Sequence, residues 1–160
     1  MGQMKISVVI PAYNESQSIT SVVRDVKREL EAEVGGSFEI IVVDNGSTDD
    51  TQRILESLSN EVSQLKTCRI FPNRGYGNGV LTGLGIARGE VMGWIHADSQ
   101  GRAEDLVKMY QRLEVENLDV CKAVRTVRAD SPLRLFISLI YNTLFRVLFR
   151  TPFRDINGAP

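Results

Sequence analysis

Short apolar runs alternate along this chain with segments whose apolar residues recur at the spacing of a helix. Residues 38–43 read Phe-Glu-Ile-Ile-Val-Val, which is typical of a buried strand, whereas the apolar residues of segment 16–33 share one helical face. Strands and helices that alternate in this way form a mostly parallel sheet with helices on both faces. The pattern therefore predicts an α/β fold, with strands at 6–10, 38–43, 67–71, 91–95 and 119–124 and helices at about 16–33, 79–87 and 103–116. A further helix should follow residues 47–50, which resemble a capping box.

The composition suits one compact domain, or most of one. The chain has 160 residues, of which 42% are hydrophobic and 24% charged, so it can bury a core and is not a disordered chain. Its two cysteines, Cys68 and Cys121, lie far apart in apolar runs, which favours buried thiols in a reducing cytosol over a zinc or redox site. We expect no secretory signal before the first strand, and the turn-like residues 157–160 predict a C-terminally truncated chain.

Charge is distributed unevenly along the sequence. Residues 1–121 contain 12 Lys or Arg and 18 Asp or Glu, a net charge of −6, whereas residues 122–160 contain 7 basic and 2 acidic residues, a net charge of +5. A basic segment on an acidic body indicates an anionic partner, which can be a membrane surface, a phosphate group or a nucleic acid. We therefore divide the chain into a core, residues 1–125, and a basic, apolar segment, residues 126–160.

Polar loops follow four of the predicted strands, at residues 11–15, 44–50, 73–79 and 96–100. The carboxyl ends of parallel strands share one edge of the sheet, so these loops should form one ligand crevice. A dinucleotide-binding site would need G-x-G-x-x-G after the first strand, but the glycines here follow the third strand and are wrongly spaced. A P-loop is also absent from the sequence. These facts argue against an NAD-dependent oxidoreductase.

Four motifs carry a resemblance to a known family. In order they read VVIPAYNE at 8–15, VVDNGSTD at 42–49, NRGYG at 73–77 and ADSQ at 97–100. With this order and spacing, the chain resembles the family-2 glycosyltransferases of the GT-A fold, which is Rossmann-like. Within that family it is most similar to the polyprenyl-phosphate sugar synthases of the dolichol-phosphate mannose synthase type.

The resemblance implies an enzyme that transfers a sugar, with inversion, from a metal-bound nucleoside-diphosphate sugar (UDP- or GDP-) to a polyprenyl phosphate such as dolichyl or undecaprenyl phosphate. It also implies a peripheral position on the cytoplasmic face of a membrane, with an anionic membrane surface rather than nucleic acid as a partner. One alternative is a glycosyltransferase that acts on a saccharide or another lipid. The other is a non-catalytic nucleotide-sugar-binding module.

The first two loops are expected to contact the nucleotide base. Tyr13 can flank a flat base, Glu15 can accept hydrogen bonds from base or ribose, and Asp44 can accept a base N–H. As alternatives, Tyr13 merely packs, Glu15 caps the first helix, and Asp44 supports the turn at residues 45–46. The full set of nucleotide-binding residues implied by the resemblance is Pro11, Ala12, Tyr13, Glu15, Asp44, Asn73, Gly75, His96 and Ala97.

The third loop departs from the family pattern. Family members often carry a basic residue near this position, where this chain has Tyr76 between two glycines and Arg74 just before them. Glycine permits the backbone to approach a ligand closely. The alternative is that Gly79 and Gly83 serve close packing of a helix on the sheet.

The fourth loop stands where many family members have an Asp-x-Asp motif. Asp98 matches the metal-binding aspartate and Gln100 a further ligand, so the resemblance implies Mg²⁺ or Mn²⁺ bound by these two residues and by diphosphate oxygens. His96 replaces the first aspartate. Its imidazole can hydrogen-bond a ribose hydroxyl or favour Mn²⁺, or it can be a satisfied residue at a strand end.

Two arginines match residues of the synthases that would meet the acceptor. Arg125 and Arg134 present planar donors suited to phosphate, and with Asp98 they form the implied catalytic set. The alternative is a solvated basic face. A phosphate monoester is already an anion and needs orientation more than deprotonation, which accounts for the lack of a general base in these residues. The other explanation is a base beyond Pro160.

The segment Leu133–Phe149 is apolar around most of a helix. It has 17 residues and carries Arg134 and Arg146, so it falls just short of a spanning helix, which needs about 18 or more apolar residues. A helix in the bilayer interface fits better, with its arginines near anionic head groups. The alternative is an ordinary core or dimer helix.

Overall fold

The structure is a computed structural model that describes residues 3–124 and 132–150. Strands and helices alternate as the sequence predicts. The elements are β1 (Ile6–Ala12), α1 (Ile19–Val34), β2 (Phe38–Asp44), α2 (Thr51–Glu61), β3 (Leu65–Arg69), α3 (Tyr76–Ile86), β4 (Val91–Trp94), α4 (Ala103–Glu116) and α5 (Pro132–Phe149). The strands form one parallel sheet in the order β3-β2-β1-β4, which confirms the predicted α/β class.

Helices cover both faces of the sheet. Apolar side chains of α1, α2 and α4 pack on the face that carries Val8 and Ile40. The opposite face carries Val9 and Val43, against which α3 packs. A Cβ atom added to Gly83 of α3 would lie 2.3 Å from a methyl group of Val9, so this helix approaches the sheet too closely for any side chain there. The packing role considered for the glycines of this helix is therefore confirmed.

The predicted strand at 119–124 is wrong. These residues follow α4 without joining the sheet, and Val120 and Val124 are 58% and 52% exposed. They line an apolar groove beside β4, which is the edge strand in the described part of the chain. An apolar run becomes a strand only when a sheet edge accepts its backbone hydrogen bonds, and that pairing is a tertiary event that the local pattern does not contain.

Three helix starts also differ from prediction. Helix α1 begins at Ile19, three residues after the predicted start. The capping box expected at 47–50 does not form: Ser47 Oγ accepts a hydrogen bond from the first loop, and the N-cap residue of α2 is Asp50, whose side chain makes no capping hydrogen bond. Helix α3 begins at Tyr76, three residues before the predicted start. Cys68 and Cys121 are free, half-buried thiols. In the part of the chain that the structure describes, none of the helices is both long and apolar enough to cross a bilayer.

Candidate functional site

The four polar loops meet at the carboxyl edge of the sheet, as predicted. They enclose a cleft of about 230 Å³, which we call the nucleotide-side cleft. Most of the residues predicted for nucleotide binding lie on its wall. The lining residues are Pro11, Ala12, Tyr13, Glu15, Asn45, Asn73, Gly75, Tyr76, His96, Ala97 and Asp98.

The first loop is joined to the second by hydrogen bonds between backbone N–H groups and side-chain oxygens. Asn14 has a positive φ of 57°, and its N–H donates to Ser47 Oγ at 3.0 Å. Its side-chain oxygen accepts the N–H of Thr48 at 2.8 Å. The N–H of Glu15 donates to Thr51 Oγ1 at 2.9 Å. These bonds fix the loop that carries Tyr13 and leave the Tyr13 side chain half-exposed on the cleft wall.

Glu15 has a local structural role in addition to facing the cleft. Its carboxylate accepts a hydrogen bond from Ser18 Oγ at 2.7 Å at the start of α1. Asp49 stabilises the same junction between the first and second loops. Burial alone would raise the pKa of Asp49, but hydrogen bonds from Thr51 and Ser16 outweigh burial and lower that pKa to about 2. The loop junction is thus stabilised by an ionised carboxylate.

Asp44 is the last residue of β2 and does not line the cleft. It is 2% exposed, and its Oδ1 accepts the N–H of Ser47 at 2.9 Å, so the turn role considered for this residue is confirmed. Its Oδ2 lies 3.3 Å from Arg69 Nε in an ion pair whose angles do not make a hydrogen bond. Asp44 therefore keeps one buried oxygen without a hydrogen bond, an arrangement that is costly unless a donor completes it.

Asn45 connects the second loop to the third. Its Nδ2 donates to the carbonyl of Gly75 at 2.8 Å, and its Oδ1 accepts the N–H of Arg74 at 3.2 Å. Gly46, with φ of 81°, leaves no room for a Cβ, which would lie 2.9 Å from the backbone nitrogen of Asn73. Gly75 also has a positive φ, of 86°, and its N–H donates to Asn73 Oδ1 at 2.7 Å. The third loop is therefore held by hydrogen bonds to Asn45 and by a close backbone approach to Gly46.

His96 contacts Tyr76 across the mouth of the cleft. The two rings are stacked, with centroids 4.8 Å apart and planes within 10° of parallel. The Tyr76 hydroxyl lies 3.2 Å from His96 Nε2. Burial and the negative charge of Asp98 raise the pKa of Tyr76 above its ordinary value, while a hydrogen bond with Trp94 acts in the opposite direction. His96 is half-buried and has a defined partner on one side of its ring.

Asp98 lies on the boundary between two clefts. Its side chain is exposed, and Oδ1 accepts the N–H of Gln100 at 3.0 Å, with Ser99 between them in a left-handed conformation. The second cleft, about 280 Å³, is lined by His96, Asp98 and Gln100 on one side. It extends to Ala123 and Val124, which directly precede Arg125 in the sequence. Because Arg125 is predicted to meet the acceptor, we call it the acceptor-side cleft.

The oxygens at this boundary suit a hard cation only in part. Asp98 and Gln100 offer a carboxylate and an amide, which are ligands that Mg²⁺ and Mn²⁺ accept. In residues 3–124 and 132–150, no group of three or more His, Cys, Asp and Glu side chains is arranged to bind a metal ion. The donor set therefore fits a cation that takes its remaining ligands from diphosphate oxygens and water.

Three predicted site residues are not placed at the clefts. Asp44 is buried and lines neither of them. Arg125 lies outside the described residues, as does the side chain of Arg134, whose backbone belongs to α5. Sequence reasoning missed Asn14 and Asn45 as the residues that join the loops. The Asn45-Gly46 dipeptide signalled a turn, but only the fold shows that its side chain reaches the third loop.

A parallel α/β sheet with its ligand crevice at the carboxyl edge defines a broad class of small-ligand-binding domains. Sequence comparison narrows that class. Residues 7–157 match Glycosyl transferase family 2, so the chain belongs to this family.

Similar proteins include lipid-phosphate sugar transferases. The chain is 32% identical over 143 residues to undecaprenyl-phosphate 4-deoxy-4-formamido-L-arabinose transferase from Klebsiella pneumoniae (strain 342), a match that covers 89% of the chain and 43% of the relative. The Salmonella paratyphi B (strain ATCC BAA-1250 / SPB7) protein of the same name is 31% identical, with the same coverage. The chain thus spans less than half the length of these curated relatives.

Solved structures show the same fold. The S. aureus TarS 1-349 structure in complex with UDP-GlcNAc superposes with a TM-score of 0.61 at 27% identity, over 80% of this chain and 37% of TarS 1-349. The mannosyltransferase PcManGT from Pyrobaculum calidifontis, solved in complex with GDP-Man and Mn²⁺, gives a TM-score of 0.58 at 24% identity, over 66% of this chain and 31% of that one. The predicted GT-A fold is confirmed.

Proposed function

We propose that the protein is an inverting glycosyltransferase that transfers a sugar from a nucleoside-diphosphate sugar to a polyprenyl phosphate. The observation that carries this proposal is the position of Asp98, whose exposed carboxylate lies between the nucleotide-side and acceptor-side clefts. A donor diphosphate that reached this boundary would place its sugar at the entrance of the acceptor-side cleft. The names of the similar Klebsiella and Salmonella proteins support the polyprenyl phosphate as acceptor.

The nucleotide would occupy the nucleotide-side cleft. Tyr13 offers its ring to the base, and Glu15 and Asn73 offer polar atoms on the same wall. Asp44 would supply its unbonded Oδ2 to a base N–H after the Arg69 side chain turns aside. The complexes of TarS with UDP and UDP-GlcNAc, at 27% identity, support a nucleoside-diphosphate sugar as the donor.

The leaving diphosphate would be bound at the boundary between the clefts. Asp98 and Gln100 would hold Mg²⁺ or Mn²⁺ there, and such a cation offsets the negative charge that builds on the leaving group. Asp98 is already oriented by the Gln100 N–H, so its other oxygen is directed away from the turn. His96 borders both clefts and can contact the donor from the opposite side.

The acceptor phosphate would approach through the acceptor-side cleft. An anionic phosphate oxygen attacks the anomeric carbon from the face opposite the diphosphate, which inverts the configuration, and needs orientation rather than a general base. Arg102 lines this cleft, and Arg125 follows its Ala123–Val124 wall in the sequence. We assign Arg125 and Arg134 to the acceptor phosphate.

The segment after the core would lie on the membrane surface. Helix α5 exposes ten large apolar side chains, from Leu133 to Phe149, together with Arg146. Exposed apolar area of this extent is unusual for a surface in water and is typical of a partner or lipid interface. A helix there would bring a lipid-borne phosphate toward Arg125, which precedes it in the sequence.

Thermal-shift titration with UDP- and GDP-sugars, with and without Mn²⁺, tests donor binding. At a hundredfold excess of ligand over Kd the wild type should gain about 2.7 kcal/mol of apparent stability, or roughly 5–10 °C in melting temperature. Asp98→Ala should lose the Mn²⁺-dependent part of this gain and keep its fold. Asp50→Ala, which removes an exposed carboxylate paired with Arg53 on α2, is the matched control and should behave as wild type.

Transfer is tested with radiolabelled sugar nucleotide and the protein that contains this chain. Label should enter extracted polyprenyl phosphate in the presence of undecaprenyl phosphate. Label found only in saccharide would show that the acceptor is a saccharide and not a polyprenyl phosphate. If Asp98→Ala kept Mn²⁺-dependent donor binding, the assignment of the boundary site would be wrong.

A further inference from the structure

Residues of the third and fourth loops contact each other at the nucleotide-side cleft. Tyr76 and His96 both line this cleft, although they are 20 positions apart in the sequence. Their rings stack, and the Tyr76 hydroxyl lies 3.2 Å from His96 Nε2. The two side chains therefore form one structural unit.

The direction of this hydrogen bond follows from the chemistry of its partners. A phenol is a stronger acid than a neutral imidazole, and an imidazole nitrogen with a free lone pair accepts better than a phenol oxygen. Tyr76 therefore donates, and His96 Nε2 accepts.

A neutral imidazole carries one proton, so an accepting Nε2 places that proton on Nδ1. In the described part of the chain, no hydrogen bond occupies Nδ1, and His96 borders both clefts. We propose that Tyr76 is a positioning residue that holds His96 as the Nδ1–H tautomer, and that His96 donates this N–H to a phosphate oxygen of the bound nucleoside diphosphate. The contact of His96 with the phosphate rests on the function proposed above.

An imidazole and a carboxylate at position 96 would act differently on a bound diphosphate. A carboxylate at position 96 would repel a diphosphate unless a cation stood between them, whereas a neutral N–H attracts a phosphate oxygen directly. The Tyr76–His96 pair thus adds a fixed donor beside Asp98 without adding negative charge. His96 would then contact the diphosphate directly, without a cation between them.

The tautomer is measured directly, because His96 is the only histidine of the chain. Long-range ¹H–¹⁵N spectra of the ¹⁵N-labelled protein, recorded well above the ordinary histidine pKa of about 6.5, report which ring nitrogen carries the proton. We expect Nδ1–H in the wild type and a changed tautomer population in Tyr76→Phe, which keeps the ring but not the hydroxyl. Tyr13→Phe, on the same cleft wall, is the control and should give the wild-type spectrum.

An Nε2–H tautomer in the wild type, or an unchanged tautomer in Tyr76→Phe, would overturn the positioning role. A lower melting temperature of Tyr76→Phe without a tautomer change would assign the residue to packing alone. These results need no ligand, so they are independent of whether the protein binds a sugar nucleotide.

Affinity for UDP and uridine tests the phosphate contact. His96→Ala should weaken UDP binding by about 10- to 150-fold, the range for one hydrogen bond to a charged group, and leave uridine binding unchanged. His96→Asn keeps an amide N–H near the place of Nδ1 and should retain most of the UDP affinity. An equal loss for uridine, or no loss for UDP, would overturn the contact. Absence of UDP binding in the wild type would refute the proposed function while the tautomer result stood.

Discussion

Asp44 offers the sharpest test of the proposed nucleotide site. Asp44→Asn keeps a side-chain oxygen for the N–H of Ser47, at 2.9 Å in the wild type, and so preserves the turn. It replaces the buried Oδ2, which has no hydrogen bond, by an NH₂ group. A base N–H that reached this position would then meet a donor instead of an acceptor.

The magnitude follows from the single contact that is exchanged. Losing a hydrogen bond to a charged acceptor costs about 1.5–3 kcal/mol, which raises Kd by about 10- to 150-fold. The effect on folding should be smaller. The ion pair with Arg69 is half-exposed on the arginine side and lacks hydrogen-bond geometry, so its loss should cost no more than about 1 kcal/mol.

Calorimetric titration with UDP and GDP measures the affinity, and thermal unfolding measures the stability. Asp49→Asn is the matched control, because it makes the same chemical change in the same loop at a residue whose two carboxylate oxygens already accept hydrogen bonds within the protein. It should lower stability and leave Kd within about threefold. If Asp44→Asn bound nucleotide as tightly as the wild type, Asp44 would serve the turn alone and the reasoning about its unbonded oxygen would be refuted.

Three further perturbations give distinct outcomes. Gly83→Ala places a methyl group 2.3 Å from a valine methyl of β1 and should lower the free energy of unfolding by about 1–3 kcal/mol. Gly85→Ala, with nothing within 4 Å of the added methyl group, should stabilise α3 by about 0.5–1 kcal/mol. Chemical denaturation compares the two variants, and equal effects would contradict the close packing at Gly83. The pKa of Asp49, lowered to about 2, contributes stability that is present above the ordinary aspartate pKa near 4 and is lost as the pH falls toward 2. The stabilities of the wild type and of Asp49→Asn should therefore converge as the pH falls from 4 to 2. Stability curves that stay parallel over this range would contradict the role of the Asp49 carboxylate. In flotation with acidic vesicles at low salt, Phe136→Asp should weaken membrane association about tenfold or more. Thr143→Asp adds a charge at a polar position of α5 and should weaken the association clearly less. A wild type that never floats would refute the membrane role.

Local pattern was sufficient for most of the fold because the relevant signals have short periods. The helical spacing of apolar residues predicted α1, and apolar runs predicted β1 and β2, within a few residues of their observed bounds. Parallel topology then required the loops after the strands to meet at one edge, so Tyr13, Asn73 and their neighbours were correctly predicted to share a cleft.

The sequence by itself thus determined the α/β class, the edge at which a ligand would bind and the carboxylate, Asp98, exposed there. Tertiary structure alone decided which partners these residues use. Segment 119–124 has the composition of a strand but receives no ladder of hydrogen bonds, and Ser47 bonds to Asn14 instead of capping its own helix. Tyr76 reaches His96 only because α3 packs back on the sheet. Periodicity encodes which face of an element is apolar, whereas a contact between residues distant in sequence depends on where the crossovers place those elements.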